Sequence, residues 1–277
     1  MSSTNFFEIL NLAINEDLTA GDITTGSLNI ESKMGEAHLI AKQDLILSGR
    51  DCFHHTVEKI APQSQLQWFF TDGEEVLDRQ TVASIKGNLI PVLKAERIAL
   101  NFLGRLSGVA TYTHQFVKKV SHTDCKILDT RKTTPGFRFL EKKAVKDGGG
   151  ANHRMSLSDQ VLIKENHIHM AGSLEKAIEC AIEAHPQFIE IEVKDLDEVQ
   201  RACKYPIHRI MLDNMNNDEL REALKHIPTS IKSEASGNMT LDRVQSVAEV
   251  GVDFISIGAL THSVPNADFS LLFQWET

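Results

Sequence analysis

The stretch IEIEVKDLDEVQRACKYPIHRIMLDNMNNDELREALKHIPTSIKSEASG, residues 189–237, decides the fold. It alternates strand candidates at Ile189–Val193, Arg209–Asp213 and Ile231–Ser236 with helix patterns at Leu196–Lys204 and Asp218–Ile227. A helix pattern at Leu241–Val250 and a strand at Phe254–Leu260 keep the rhythm, so successive strands begin 20 to 23 residues apart. Units of this length build parallel sheets, and strands that are apolar nearly throughout are those covered on both faces. Working back toward the N-terminus, Leu174–Ala184 reads as a helix, and Gln160–Lys164 and Lys126–Asp129 as strands. Six strands fall short of the eight of a full barrel. The expectation is an α/β protein with an incomplete, TIM-like barrel.

The chain before it mixes elements. Phe6–Ile14 has helical apolar spacing, and Ala37–Leu47 and Gln65–Phe70 read as strands. DGEEVLDRQTVASIKG (72–87) has the rhythm of a lipoyl-type hairpin but no lysine at its turn, so it reads as sandwich structure and not as a carrier. Val92–Val120 reads as two helices broken near Ser107-Gly108. The expected organisation is an N-terminal α/β sandwich over 1–105, joined by 267–277, and a barrel over 106–266.

Composition narrows the function classes. With 277 residues, 42% hydrophobic and 24% charged, the chain is an ordinary globular one. A net charge of -9 argues against nucleic acid or anionic membrane as partner. No run of about 18 apolar residues exists to cross a membrane. Cys52, Cys125, Cys180 and Cys203 are isolated, without metal or disulfide spacing. The N-terminus lacks the basic and apolar regions of a signal peptide, so the expected compartment is the cytoplasm.

Charge is nevertheless concentrated. Lys126 to His167 holds nine Lys/Arg against five Asp/Glu, which points to a small anionic ligand, with Lys142, Lys143 and Lys146 read as a solvated helix face. The chemistry of α/β barrels sits at the C-terminal ends of the strands. There this chain places Asp129-Thr-Arg131-Lys132, Lys164-Glu-Asn-His167, Glu192, Asp213-Asn214, Ser236-Gly237 and Ser256-Ile-Gly258. Arg131, Lys132, Arg138, His153, Arg154 and Lys164 form a cationic set suited to carboxylates and phosphates. Glu192 and Asp213 suit Mg2+, sugar hydroxyls or a cationic transition state. The glycine turns after the last two strands suit a phosphate.

ILDTRKTTPGFRFLEKKAVKDGGGANHRMSLSDQVLIKENHI (127–168) resembles the core of the quinolinate phosphoribosyltransferases. The resemblance extends through EDLTAGDITT (16–25), ERIALNFLGRLSGVAT (96–111), IEIEV (189–193), IMLDNM (210–215), SEASG (233–237) and ISIGALTHS (255–263). It implies the type II phosphoribosyltransferase fold, and an enzyme making nicotinate mononucleotide, pyrophosphate and CO2 from quinolinate and phosphoribosyl pyrophosphate. It further implies a homodimer with shared sites, in some members a hexamer, and Mg2+ as cofactor. By the resemblance, Arg131, His153, Arg154 and Lys164 bind the quinolinate carboxylates, with Arg97 reaching in from the partner subunit. Lys132, Glu192 and Asp213 handle phosphoribosyl pyrophosphate and Mg2+, and Lys164 joins them in the catalytic set. Ser236, Gly237, Ser256, Gly258 and His262 line the 5′-phosphate site. One departure stands out: Asn238 occupies the place of the family's usual second glycine.

Rival readings are a Schiff-base barrel aldolase using Lys164, a metal hydrolase built on His167-Ile-His169, and a non-catalytic paralogue binding an anion. Retention of Glu192 and Asp213 beside every cation favours catalysis.

Overall fold

The structure, a computed structural model, describes residues 4–28 and 32–275. In chain order, α1 (Thr4–Leu18) and α2 (Ile23–Ser27) precede β1 (Met34–Ala41), β2 (Leu45–Ile46) and α3 (Arg50–Ile60). Then come β3 (Gln65–Trp68), β4 (Glu75–Val76), β5 (Thr81–Asn88) and the long α4 (Leu89–Val120). After β6 (Lys126–Leu128) and α5 (Arg138–Asp147) follow β7 (Val161–Ile163), α6 (Glu165–Ala171), α7 (Leu174–Glu183) and β8 (Ile189–Val193). The alternation continues through α8 (Leu196–Ala202), β9 (Arg209–Asp213), α9 (Asn217–Leu224), β10 (Lys232–Ser236), α10 (Val244–Ala248), β11 (Phe254–Ser256) and α11 (Ala259–His262). The last strand is β12 (Phe269–Trp275).

The chain divides into two compact units. The first comprises the residues up to Tyr112, Thr134–Gly149 and the segment from Ser263 on. Its antiparallel sheet has the order β12-β1-β5-β3, with a separate two-stranded β2-β4 ribbon. Leu39, Phe53, Ile85, Leu89 and Leu103 belong to its core, all fully buried. The division corrects the boundaries read from sequence, because Thr134–Gly149 belongs with the first unit. A buried ion pair shows why: Arg105 of α4 donates to Glu141 of α5 at 2.7 Å, and Glu141 has no solvent exposure. Ala37–Leu47 is likewise two strands in different sheets and not one.

The second unit carries the six parallel strands in the order β6-β11-β10-β9-β8-β7. The first strand of the unit pairs with the last, as in a closed barrel, while β6 and β7 are the two free ends of the sheet. The expected incomplete barrel is therefore a six-stranded sheet open at one seam. Beside β6 at that seam runs Ala151, which donates to Ile127 O at 2.8 Å and accepts from Asp129 N at 3.1 Å. The strand expected at Phe254–Leu260 stops at Ser256, and after Ile257 and Gly258 a short helix begins at Ala259.

Helix α4 is continuous through Ser107-Gly108, against the expected break. Glycine serves packing there, not flexibility: a Cβ on Gly108 would stand 2.3 Å from Pro265 O. Ala in place of Gly inside a helix ordinarily gains about 1 kcal/mol. Gly108→Ala should instead lose about 2 kcal/mol of stability through overpacking against backbone, read as a lower thermal midpoint.

Candidate active site

Side chains two apart on a strand face the same way, so each barrel strand aims one parity inward. At the C-terminal ends this parity delivers Thr130, Lys164, Glu192, Asp213, Ser236 and Ser256. With Lys132, Gly237, Asn238, Gly258 and His262 they line a cleft of about 690 Å³. A smaller hollow of about 310 Å³ adjoins it, sharing Thr130, Lys132, Lys164, Ser236 and Ser256 and adding Arg131, His153 and Arg154.

Asp129 organises the cationic hollow. It is fully buried at the end of β6, and Oδ1 accepts from His153 N at 2.9 Å while Oδ2 accepts from Asn152 Nδ2 at 2.5 Å. Gly149, at φ 87, turns the chain into this segment, a conformation that glycine alone adopts freely. Arg154 is 7% exposed, and its Nη1 donates to Gln160 O at 3.0 Å. Burial, then the neighbouring positive charge of Arg131, holds its guanidinium below its ordinary pKa. Two guanidinium groups that repel across a hollow form an anion site, since a carboxylate between them relieves both.

The cleft has an acidic wall and a loop wall. Lys164 Nζ is paired with Glu192 Oε2, a pairing that suits ion recognition and not a Schiff-base nucleophile. Asp213 Oδ2 accepts from Asn214 Nδ2 at 2.7 Å. Gly237 has φ 97 and Asn238 φ 47, so the asparagine, noted above as a departure, itself adopts a left-handed turn. A Cβ on Gly258 would lie 3.1 Å from both Lys132 Cδ and His262 Nε2. Thr261 Oγ1 donates to Lys132 O at 2.7 Å, tying the last loop to the first.

Some expected residues lie elsewhere. Arg138 is in the first unit, on α5, and the carboxylate of Glu141 in the same helix receives Arg105 and Thr134. Lys142, read as solvated, has no exposure at all, while Lys143 bonds Asp72 and Asp147 at 2.6 and 2.7 Å. Arg97 is exposed on α4 in the first unit and lines neither hollow of the second. His167 caps α6, its Nδ1 accepting from Lys164 N at 2.9 Å, and joins no metal-ligand cluster among the described residues.

Beneath the rim lies a charged layer that sequence reasoning missed. His153 Nε2 stands 3.0 Å from Glu190 Oε2 and 3.6 Å from Glu234 Oε2. Arg209 Nη1 donates to the same Glu234 oxygen at 2.9 Å and lies 4.0 Å from Glu190 Oε2. The guanidinium also packs 4.2 Å from the Phe254 ring centroid. His153, Glu190 and Glu234 together have a metal-like donor spacing, but Arg209 already supplies the cation. Burial pushes both glutamates up to about 7, with the charge of Glu190 adding to the effect on Glu234. The signal was present in IEIEV, RIMLD and KSEAS, where each charged residue shares parity with a rim group two or four places on.

The model of the quinolinate phosphoribosyl transferase C-terminal domain matches residues 109–272, and that of the N-terminal domain matches residues 22–107. The chain belongs to the quinolinate phosphoribosyltransferase family. It is 39% identical over 261 residues to a probable carboxylating nicotinate-nucleotide pyrophosphorylase of Synechocystis sp., covering 92% of this chain and 88% of that one. A Bacillus subtilis protein of the same description is 37% identical, covering 98% and 94%. The solved nicotinate-nucleotide pyrophosphorylase of Francisella tularensis superposes with a TM-score of 0.95 at 36% identity, over 99% of this chain and 98% of that one. The family's barrel and N-terminal sheet domain are thus both present.

Glu190 and Glu234 hold protons more tightly folded than unfolded, so their contribution to stability is complete below the ordinary value of 4.5 and lost as pH rises toward 7. The thermal midpoint of Glu234→Gln minus that of the native chain should therefore rise as pH increases from about 5 to about 8. Melting curves showing a pH-independent difference would contradict this.

Proposed function

We propose that this chain transfers the phosphoribosyl group of phosphoribosyl pyrophosphate to quinolinate with decarboxylation, giving nicotinate mononucleotide for NAD biosynthesis. The observation that carries the reading is the pairing of a cationic hollow, where Arg131 and Arg154 repel one another, with a cleft of carboxylates and glycine turns. Arg131, Arg154, His153 and Lys164 take the two carboxylates of quinolinate. Ser236, Gly237, Asn238, Ser256, Gly258 and His262 take the 5′-phosphate. This leaves ribose C1 beside Glu192 and Asp213.

The ring nitrogen of quinolinate attacks C1, and the C1–O bond breaks with its electron pair leaving on pyrophosphate. Positive charge gathers on the sugar in the transition state, and Glu192 and Asp213 stabilise it without reorganising. Lys132 offsets charge on the departing pyrophosphate. The bond from ring carbon 2 to its carboxylate then breaks, CO2 departs, and the adjacent cationic nitrogen stabilises the electron pair until a proton from solvent replaces it. Carboxylate oxygens are the hard donors that Mg2+ takes, and Glu192 and Asp213 line one cleft, so the residues fit that ion, directly or through water. When bound, Mg2+ supplies charge neutralisation to the pyrophosphate.

We further propose a homodimer, with hexamers as a higher assembly, in which Arg97 completes the partner subunit's quinolinate site. Its position in the first unit, outside both hollows, supports this role. Four free thiols, two of them buried, suit the cytoplasm.

With Mg2+ and phosphoribosyl pyrophosphate present, nucleotide and CO2 should form from quinolinate and not from nicotinate, whose single carboxylate leaves buried cations unmatched. Arg154→Ala should cut kcat/KM for quinolinate by about a hundredfold. Near-native turnover would sink the cation assignment. Mixing inactive Arg97→Ala and Lys164→Ala chains should restore about a quarter of native activity, because mixed dimers carry one intact site. No recovery after subunit exchange would argue against shared sites.

A further inference from the structure

Asn214 follows Asp213 directly and has φ 56, a left-handed conformation at the mouth of the cleft. Its backbone N–H donates to Ser236 O at 2.9 Å, which joins the end of β9 to the end of β10. Both ends of its side-chain amide are engaged. Nδ2 donates to Asp213 Oδ2 at 2.7 Å, and Oδ1 accepts from Asn238 Nδ2 at 3.4 Å. The fit around the amide is close: a Cβ on Gly237 would stand 2.1 Å from Asn214 Oδ1. Arg243 clamps the chain on either side, with Nη1 donating to Gly237 O at 3.0 Å and Nη2 to Met215 O at 2.7 Å.

An asparagine at positive φ is often only a turn former. Here the amide is used as well. Reversing it would set its oxygen against the carboxylate of Asp213, so its two contacts fix one orientation. On the phosphoribosyl-transfer reading above, we infer that Asn214 is a positioning residue for the reaction: its amide holds the Asp213 carboxylate against the turn at Gly237-Asn238, so that sugar and phosphate are presented in register. The glycine at 237 is needed because this amide lies against it. Asn214 itself touches neither reacting atom.

Asn214→Gly separates the two roles, since glycine keeps the left-handed turn and deletes the amide. The expected result is an unchanged thermal midpoint and a kcat about tenfold lower, the worth of a hydrogen bond to a charged group. In an Asp213→Ala background the same change should cost less than about twofold, because the residue acts through Asp213. Calorimetry supplies a readout independent of turnover: affinity for ribose 5-phosphate should fall about tenfold, and affinity for inorganic phosphate should stay the same. Equal losses in both backgrounds, equal losses for both ligands, or no loss in Asn214→Gly would each overturn the inference. Failure of the underlying reading looks different, since the native chain would then make no nucleotide or Asp213→Ala would retain full activity.

Discussion

Two carboxylates do not remain in a barrel interior without a cation, and Arg209 between Glu190 and Glu234 is the interaction on which the site rests. These three residues come from β8, β9 and β10, and their pairing fixes which parity of each strand faces inward. Because strand side chains alternate, that choice also delivers Glu192, Asp213 and Ser236 to the rim. A one-residue slip would bury the rim groups' neighbours and turn the charged layer outward. The layer thus sets register for the chemistry above it, and it reaches that chemistry directly through His153.

The same logic of burial governs the seam. Asp129 sits in a fully buried place, so its oxygens must be bonded, and the groups that satisfy them are the segment carrying His153 and Arg154. A protein with a net charge of -9 keeps a cationic hollow in part because His153 is held by the buried Asp129 and Arg154 by Gln160 O.

Much of this was legible in the sequence. The spacing of the strands and the polar groups at their ends marked out the barrel and the cleft, since both depend on local periodicity. Glu190 and Glu234 escaped notice because β8 and β10 were treated as apolar runs, and a charge inside a strand gains meaning only once its cross-barrel partner is known. Lys142 was misread for the reverse reason: a lysine on an amphipathic helix looks solvated until the surface that covers it is seen. At Gly108 the sequence shows a glycine, but only the approach of Pro265 distinguishes a packing contact from a hinge. Thr134–Gly149 was assigned to the wrong unit because a buried ion pair across 36 residues leaves no periodic trace.

The central position of β1 in its sheet has a consequence for how the chain assembles. On one side it pairs with β5, nearby in sequence, and on the other with β12, where Ala37 meets Phe273. Joining ends some 230 residues apart costs about 5 kcal/mol in loop entropy, comparable to the net stability of a domain. During synthesis the first unit therefore waits with one edge of β1 unpaired while the second unit emerges. Folding of that second unit would shorten the loop still to be closed. Until Phe269–Trp275 leaves the ribosome, the exposed edge of β1 is the place where a nascent chain is most open to mispairing.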